Sequence, residues 1–270
     1  MKKSIVVSIQ PTKFSALAFK EDFEESIKKV ADLGFDGAEL AVRNPKDLKI
    51  DDVIKIIKEN NLEVPAIGTG QAYGEEGLSF SDPDETVRKM AVERIKNQVI
   101  FASHFNAQVI IGLIRGIIKE NVDKTEAEEW TINCLRKCTK FAKEYNIGLT
   151  LEPVNRYESN FINTLNEGIE FIERVGASNL GLLADTFHMN IEEVSIYDSI
   201  INAKDYITHV HFADSNRWAP GCGHLDFAQI VQTLKKIGYQ GYVSAEILPF
   251  PDPDNCARLT AETLGKLNIS

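Results

Sequence analysis

Four residues of this 270-residue chain, Glu152, Asp185, His211 and Glu246, each stand in or just past a short apolar run, namely Leu149 to Leu151, Leu182 to Ala184, Ile207 to Phe212 and Val243 to Ala245. A carboxylate is costly to bury alone, and several that converge repel one another unless protons or a cation compensate them. A divalent metal resolves that conflict. Three carboxylates and one imidazole make an O3N ligand set that suits Mn²⁺ first, with Mg²⁺ or Co²⁺ also fitting, and leaves positions open for substrate or water. The set contains no thiolate, which argues against a structural zinc. One strand-end acid alone would be read as readily as a helix cap or an ion pair, so it is the fourfold set that carries the metal reading. Glu39, after Gly37 and Ala38, is a fifth acid of this kind and a candidate for a place behind the ligands.

These side chains can meet only if the ends of their strands meet. Short β-branched runs alternate with longer stretches of helical period along the whole chain, the pattern of a parallel sheet with covering helices. Eight strands are read at Ile5 to Ile9, Gly37 to Leu40, Leu62 to Ile67, Gln108 to Ile111, Gly148 to Leu151, Leu180 to Ala184, Ile207 to Phe212 and Tyr242 to Ala245. Between them Phe23, Ile27, Val30 and Leu33 repeat at helical spacing, as do Leu135, Cys138 and Phe141 or Ala142. Gly34, Gly176 and Gly238 fall where helices should stop, and Asp84 and Asp226 where helices could be capped. The fold class expected is α/β, a single (β/α)8 TIM barrel spanning residues 1–270, whose active site is built at the carboxyl ends of the strands. A long Gly-, Pro- and Trp-containing connection at residues 212–225 is expected to form one wall of that site.

A formal net charge of −10 excludes nucleic acid and anionic membranes as natural partners and favours a small polar substrate. It also disfavours a DNA endonuclease, which would need a basic surface. No stretch approaches the roughly 20 apolar residues of a membrane span, and Ile5 to Ile9 is too short for a signal-peptide core. A cytoplasmic location follows, in which Cys134, Cys138, Cys222 and Cys256 read as structural thiols.

Three segments carry a resemblance: Leu151 to Glu158 (LEPVNRYE), Ala184 to Glu193 (ADTFHMNIEE) and His209 to Arg217 (HVHFADSNR), with Ser244-Ala245-Glu246 completing the set. Over nearly its whole length the chain resembles the xylose-isomerase-like barrel group of sugar isomerases and epimerases, and within it the ketose 3-epimerases of the tagatose and psicose type. That resemblance implies one metal on Glu152, Asp185, His211 and Glu246, with Glu158, His188 and Arg217 holding the substrate's oxygens. The stretches Ala66 to Tyr73 (AIGTGQAY) and Ile111 to Gly116 (IGLIRG) look closer to a subgroup acting on keto-acid sugars such as 5-keto-L-gluconate, interconverted with D-tagaturonate. Related barrels commonly assemble as dimers or tetramers, so a homo-oligomer is expected.

Inverting the carbon beside a ketone removes a weakly acidic C–H proton, and a divalent metal stabilises the enediolate that results. Two carboxylates on opposite faces of that planar species then exchange the proton, and Glu152 and Glu246 form the expected acid/base pair. Aldose–ketose or hydroxypyruvate-type isomerisation would use the same parts, while a non-catalytic sugar-binding barrel is disfavoured by the intact set. Arg115, and with it Arg43, is a candidate contact for the carboxylate of an acidic sugar. His209, two residues before His211, is placed in the core or behind the ligands. Trp218, Phe250 and Tyr73 are read as packing residues that could also line the pocket. Gly68-Thr69-Gly70 lacks the spacing and lysine of a nucleotide-binding loop.

Overall fold

The apolar runs pair edge to edge and close on themselves. In the computed structural model, which describes residues 1–269, strands β1 (Lys2–Ser8), β2 (Gly37–Ala41), β3 (Ala66–Gly68), β4 (Gln108–Ile111), β5 (Leu149–Leu151), β6 (Leu180–Asp185), β7 (Ile207–Phe212) and β8 (Tyr242–Ala245) lie in sequence order. Neighbouring strands are parallel and β8 pairs with β1, giving a closed barrel. The covering helices are α1 (Phe23–Asp32), α2 (Ile50–Glu59), α3 (Gly70–Glu76), α4 (Glu85–Ser103), α5 (Lys124–Glu144), α6 (Leu165–Val175), α7 (Thr186–Glu192), α8 (Ile196–Asn202), α9 (Phe227–Lys236) and α10 (Pro253–Lys266). This is a (β/α)8 TIM barrel. Among the described residues no helix is long and apolar enough to cross a membrane.

All eight expected strands form; the first runs over Lys2–Ser8 rather than the expected Ile5 to Ile9, and the third is cut back at its start. It pairs only over Ala66–Gly68, because Pro65 has no N–H to donate and Glu63 makes just an isolated bridge to Gly37. The helix boundaries follow the local chemistry. Asp84 accepts from Thr86 N at 2.7 Å and Asp226 from Gln229 N at 2.9 Å, while Gly34, Gly176 and Gly238 sit at φ of +74°, +73° and +76° just past their helices. Ile27 and Val30 bury the inner face of α1, and Leu135, Cys138 and Ala142 that of α5. The four cysteines are free thiols, three of them buried.

One departure from regular geometry aims side chains at the barrel mouth. Between β6 and β7 the register shifts, so that Leu182 pairs with Ile207 but Leu183 pairs with His209 and Asp185 with His211. Thr208 is the extra residue, and the bulge turns His209 and His211 to the same side as Asp185. Just beyond, Thr186 Oγ1 donates to Ala213 O at 2.7 Å and accepts from Ala213 N at 3.0 Å. This clamp ties the exit of β6 to the exit of β7. Thr186→Val keeps the shape but leaves both polar groups of Ala213 unpaired, so urea unfolding should show a loss of about 1–3 kcal/mol that Thr186→Ser largely restores.

Candidate active site

Glu152 follows β5, Asp185 ends β6, His211 lies in β7 and Glu246 follows β8, and each offers a ligand atom within 4.8 Å of the others. The structure therefore brings together the four expected ligands at the carboxyl end of the barrel. Asp185 has two tasks. Its Oδ1 caps α7, accepting from Phe187 N at 2.7 Å and His188 N at 3.2 Å, while its buried Oδ2 has no partner. His211 Nδ1 is likewise buried without a partner, 3.6 Å from Asp185 Oδ2 and 3.7 Å from Glu152 Oε1. Two orphaned atoms facing one another between acids, an imidazole nitrogen and a carboxylate oxygen, fit a dication.

Behind the candidate ligands, Glu39 lies against His209 and His211. Its carboxylate accepts from His211 Nε2 at 3.0 Å and from His209 Nε2 at 2.8 Å, which fixes the His211 ring with Nδ1 facing the ligand set. Burial opposes ionisation of Glu39, but the two imidazoles outweigh it and hold the carboxyl well below its usual range. Glu39, His209 and His211 also form a compact acid–histidine group. Their 2.8–3.1 Å contacts are those of hydrogen bonds, and both Nε2 atoms are spent on them.

Burial and then Glu246 push the Glu152 carboxyl well up, and burial likewise raises Glu246 against the pull of Arg217 and His211. Asp185 goes the other way, because His188, His211 and Arg217 outweigh its burial. Arg217 lies between two acids, donating from Nη1 to Glu158 Oε1 at 2.8 Å and from Nη2 to Glu246 Oε2 at 2.8 Å. Its guanidinium stacks over Phe187, 4.9 Å from the ring centre. The side chain reaches inward from a left-handed backbone, φ +61°, which the buried Asp214 stabilises by accepting from Ser215 N, Gly221 N and Leu225 N at 2.8–3.1 Å. The connection at 212–225 is thus a wall of the site.

His188 Nδ1 accepts from Asn155 N at 3.3 Å and lies 2.7 Å from Asn155 Nδ2, so its proton resides on Nε2, 3.9 Å from Glu152 Oε1. Burial pushes this imidazole down to about 4, and it is a neutral donor near pH 7. Asn155 also donates to Glu158 Oε1 at 3.0 Å. Glu152, Glu158, His188, His211, Arg217 and Glu246 line one cavity at the mouth of the barrel.

Arg115 has a different place from the one expected. It is wholly buried, and its guanidinium donates to the carbonyls of Gly112 and Glu152 at 3.0 and 2.8 Å and of Phe161 and Ile162 at 3.3 and 3.0 Å. A three-residue 3-10 turn at Leu113–Arg115 swings the side chain inward, so it braces the chain carrying Glu152 and does not line the cavity. Arg43 is paired with Glu75 at 3.0 Å and also lies outside the lining. Trp218 and Phe250 stack on one another with centroids 5.2 Å apart, and neither they nor Tyr73 line the cavity. Its aromatic lining residue is Phe14, from a connection with no sequence period to mark it. Asn155, Asp214 and Thr186 were also not singled out, although Asn155 precedes Glu158 by one turn's spacing and Asp214 heads a Ser/Asn/Gly loop, the setting in which an Asp side chain binds backbone N–H groups.

Gly112 lies against the Glu152 carboxylate, and a Cβ built there would overlap Glu152 Oε2. Gly112→Ala should therefore displace this ligand and weaken Mn²⁺ binding by about 10- to 100-fold in calorimetric titration, as loss of a supporting contact does. An unchanged affinity would show that Glu152 is not needed where it now stands.

The model of the xylose isomerase-like TIM barrel family matches residues 27–265. The D-psicose 3-epimerase of Ruminiclostridium cellulolyticum is 32% identical over 236 residues, covering 84% of this chain and 79% of that one. The 3-dehydro-D-guloside 4-epimerase of Escherichia coli is 28% identical over 240 residues, covering 84% and 88%. The crystal structure of D-psicose 3-epimerase with D-tagatose from Clostridium cellulolyticum H10 superposes with a TM-score of 0.84 at 28% identity, covering 99% of this chain and 98% of that one. A family match over most of the chain agrees with the barrel, and this chain belongs to the xylose isomerase-like TIM barrel family.

Proposed function

We propose that this protein is a divalent-metal-dependent epimerase that inverts C3 of a ketose or keto-acid sugar, with Glu152 and Glu246 as its proton-transfer pair. The observation that carries the reading is the set of four candidate ligand atoms within 4.8 Å, two of them from glutamates that follow strands β5 and β8 and bound one cavity. The names of the relatives point to the same chemistry. D-psicose 3-epimerase and 3-dehydro-D-guloside 4-epimerase both invert a carbon next to a carbonyl, the position whose hydrogen is made acidic by that carbonyl.

The cation belongs to Glu152, Asp185, His211 and Glu246, and the O3N set favours Mn²⁺, with Mg²⁺ or Co²⁺ as fitting alternatives. When bound it supplies a positive centre that polarises the carbonyl and steadies negative charge as the C–H bond breaks. The protein's own groups do the rest. His188 presents Nε2–H to a substrate oxygen, and Arg217 and Glu158, already locked together, offer a donor and an acceptor on one rigid unit. Glu152 takes the proton from one face and Glu246 returns one to the other. The placement of Arg115 removes the support that a keto-acid substrate drew from that residue, so a neutral ketose such as D-tagatose and an acidic one such as D-tagaturonate or 5-keto-L-gluconate are to be offered side by side.

Proton exchange at C3 in D₂O, followed by NMR with Mn²⁺-loaded and chelator-treated protein, tests the proposal. Metal-dependent deuterium uptake at C3 together with the inverted sugar is expected. Uptake at C1 with an aldose product would instead mark an aldose–ketose isomerase, and no uptake with any sugar retires the epimerase. Glu152→Gln and Glu246→Gln should each lose epimerisation by about 10³-fold. Each should still exchange C3–H in the one epimer whose hydrogen faces the remaining carboxylate, and loss of both exchanges in either variant would overturn the two-base assignment.

A further inference from the structure

Gln71, the second residue of α3, is 4% exposed and lines the cavity after β3, four strands around the barrel from His211 on β7. Its amide is pinned. Nε2 donates to Ser8 Oγ at 2.9 Å, and that hydroxyl gives its own proton to Gln10 O at 2.6 Å, so Ser8 can only accept from Gln71. Reversing the amide would set oxygen against oxygen. Oε1 is therefore held as an acceptor, and it is buried with no donor in the protein.

The surroundings leave that acceptor to a ligand. Val6, Leu17 and Ala41 form an apolar cluster with Phe14 on this side of the cavity, and the Thr69 hydroxyl is spent on Ile110 O at 2.6 Å. An acceptor fixed in an apolar wall gains from a hydroxyl more than from any group without a proton to give. Glu152, His188 and Glu246 line the same cavity from beyond β5, β6 and β8, so a sugar held there by its carbonyl end would have its remaining carbons to direct toward this wall.

We infer that Gln71 is a specificity-determining residue whose Oε1 accepts a hydrogen bond from a hydroxyl on the sugar chain beyond the epimerised carbon. The inference rests on the proposed epimerase reading. It is tested by comparing D-tagatose with its 4-, 5- and 6-deoxy analogues on the Mn²⁺-loaded wild type, Gln71→Met and Ser8→Ala, recording kcat/KM and, by calorimetry, Kd. The wild type should favour D-tagatose over one analogue by about ten-fold, and Gln71→Met should lose that preference. Ser8→Ala, which frees the amide to turn, should weaken the preference. A Gln71→Met variant that loses the same factor on all four sugars, or a wild type indifferent to all three deletions, would overturn the contact. Should nothing turn over, the Kd values decide separately: selective binding keeps the Gln71 contact while the epimerase reading falls, and binding without selectivity, or none, removes the contact.

Discussion

The mouth of this barrel gathers the buried Glu39, Glu152 and Asp185 with the part-buried Glu158 and Glu246, and like charges brought this close oppose one another strongly. The rest of the local structure can be understood as compensation for that gathering. Arg217 lies between two of the acids, His209 and His211 share a third, and a helix N-terminus caps one oxygen of a fourth. What the protein itself leaves uncompensated is the inner face: Asp185 Oδ2, His211 Nδ1 and the raised carboxyls of Glu152 and Glu246. A dication fits that remainder in charge and in donor type.

Most of the barrel could be read from the chain because it follows local rules. Runs such as Ile207 to Phe212 and Leu180 to Ala184 have no other way to be buried on both faces, and the caps at Asp84 and Asp226 mark their helices by side-chain chemistry alone. The third strand was less legible, since Leu62 to Ile67 is apolar enough to read as a strand while Pro65 withholds the hydrogen bond that would make it one. The bulge at Thr208 leaves no mark in composition, because register is set by the facing strand.

The ligand set was legible because residue type and strand-end position together specify it. The groups that orient it were less so, for they depend on how far a side chain reaches after the backbone has turned. Arg115 follows β4 as closely as a site residue would, yet the turn at Leu113–Arg115 sends it into the interior. Phe14 and Gln71 line the cavity from segments without useful periodicity, and the role of Gln71 emerges only from the chain of hydrogen bonds through Ser8. Asp185 shows why the cap and ligand readings of a strand-end acid need not compete, since one oxygen caps α7 and the other is left without a protein partner.

Because Arg115 binds the carbonyls of Gly112, Glu152, Phe161 and Ile162 at once, the segment after β4 and the segment after β5 are held as one mechanical body. Variation among relatives, or deliberate recombination of one barrel with another, would then have to treat these two connections as an inherited pair. Swapping one alone would leave a buried arginine facing carbonyls set for a different partner, whereas connections that carry no such brace remain free to change one at a time.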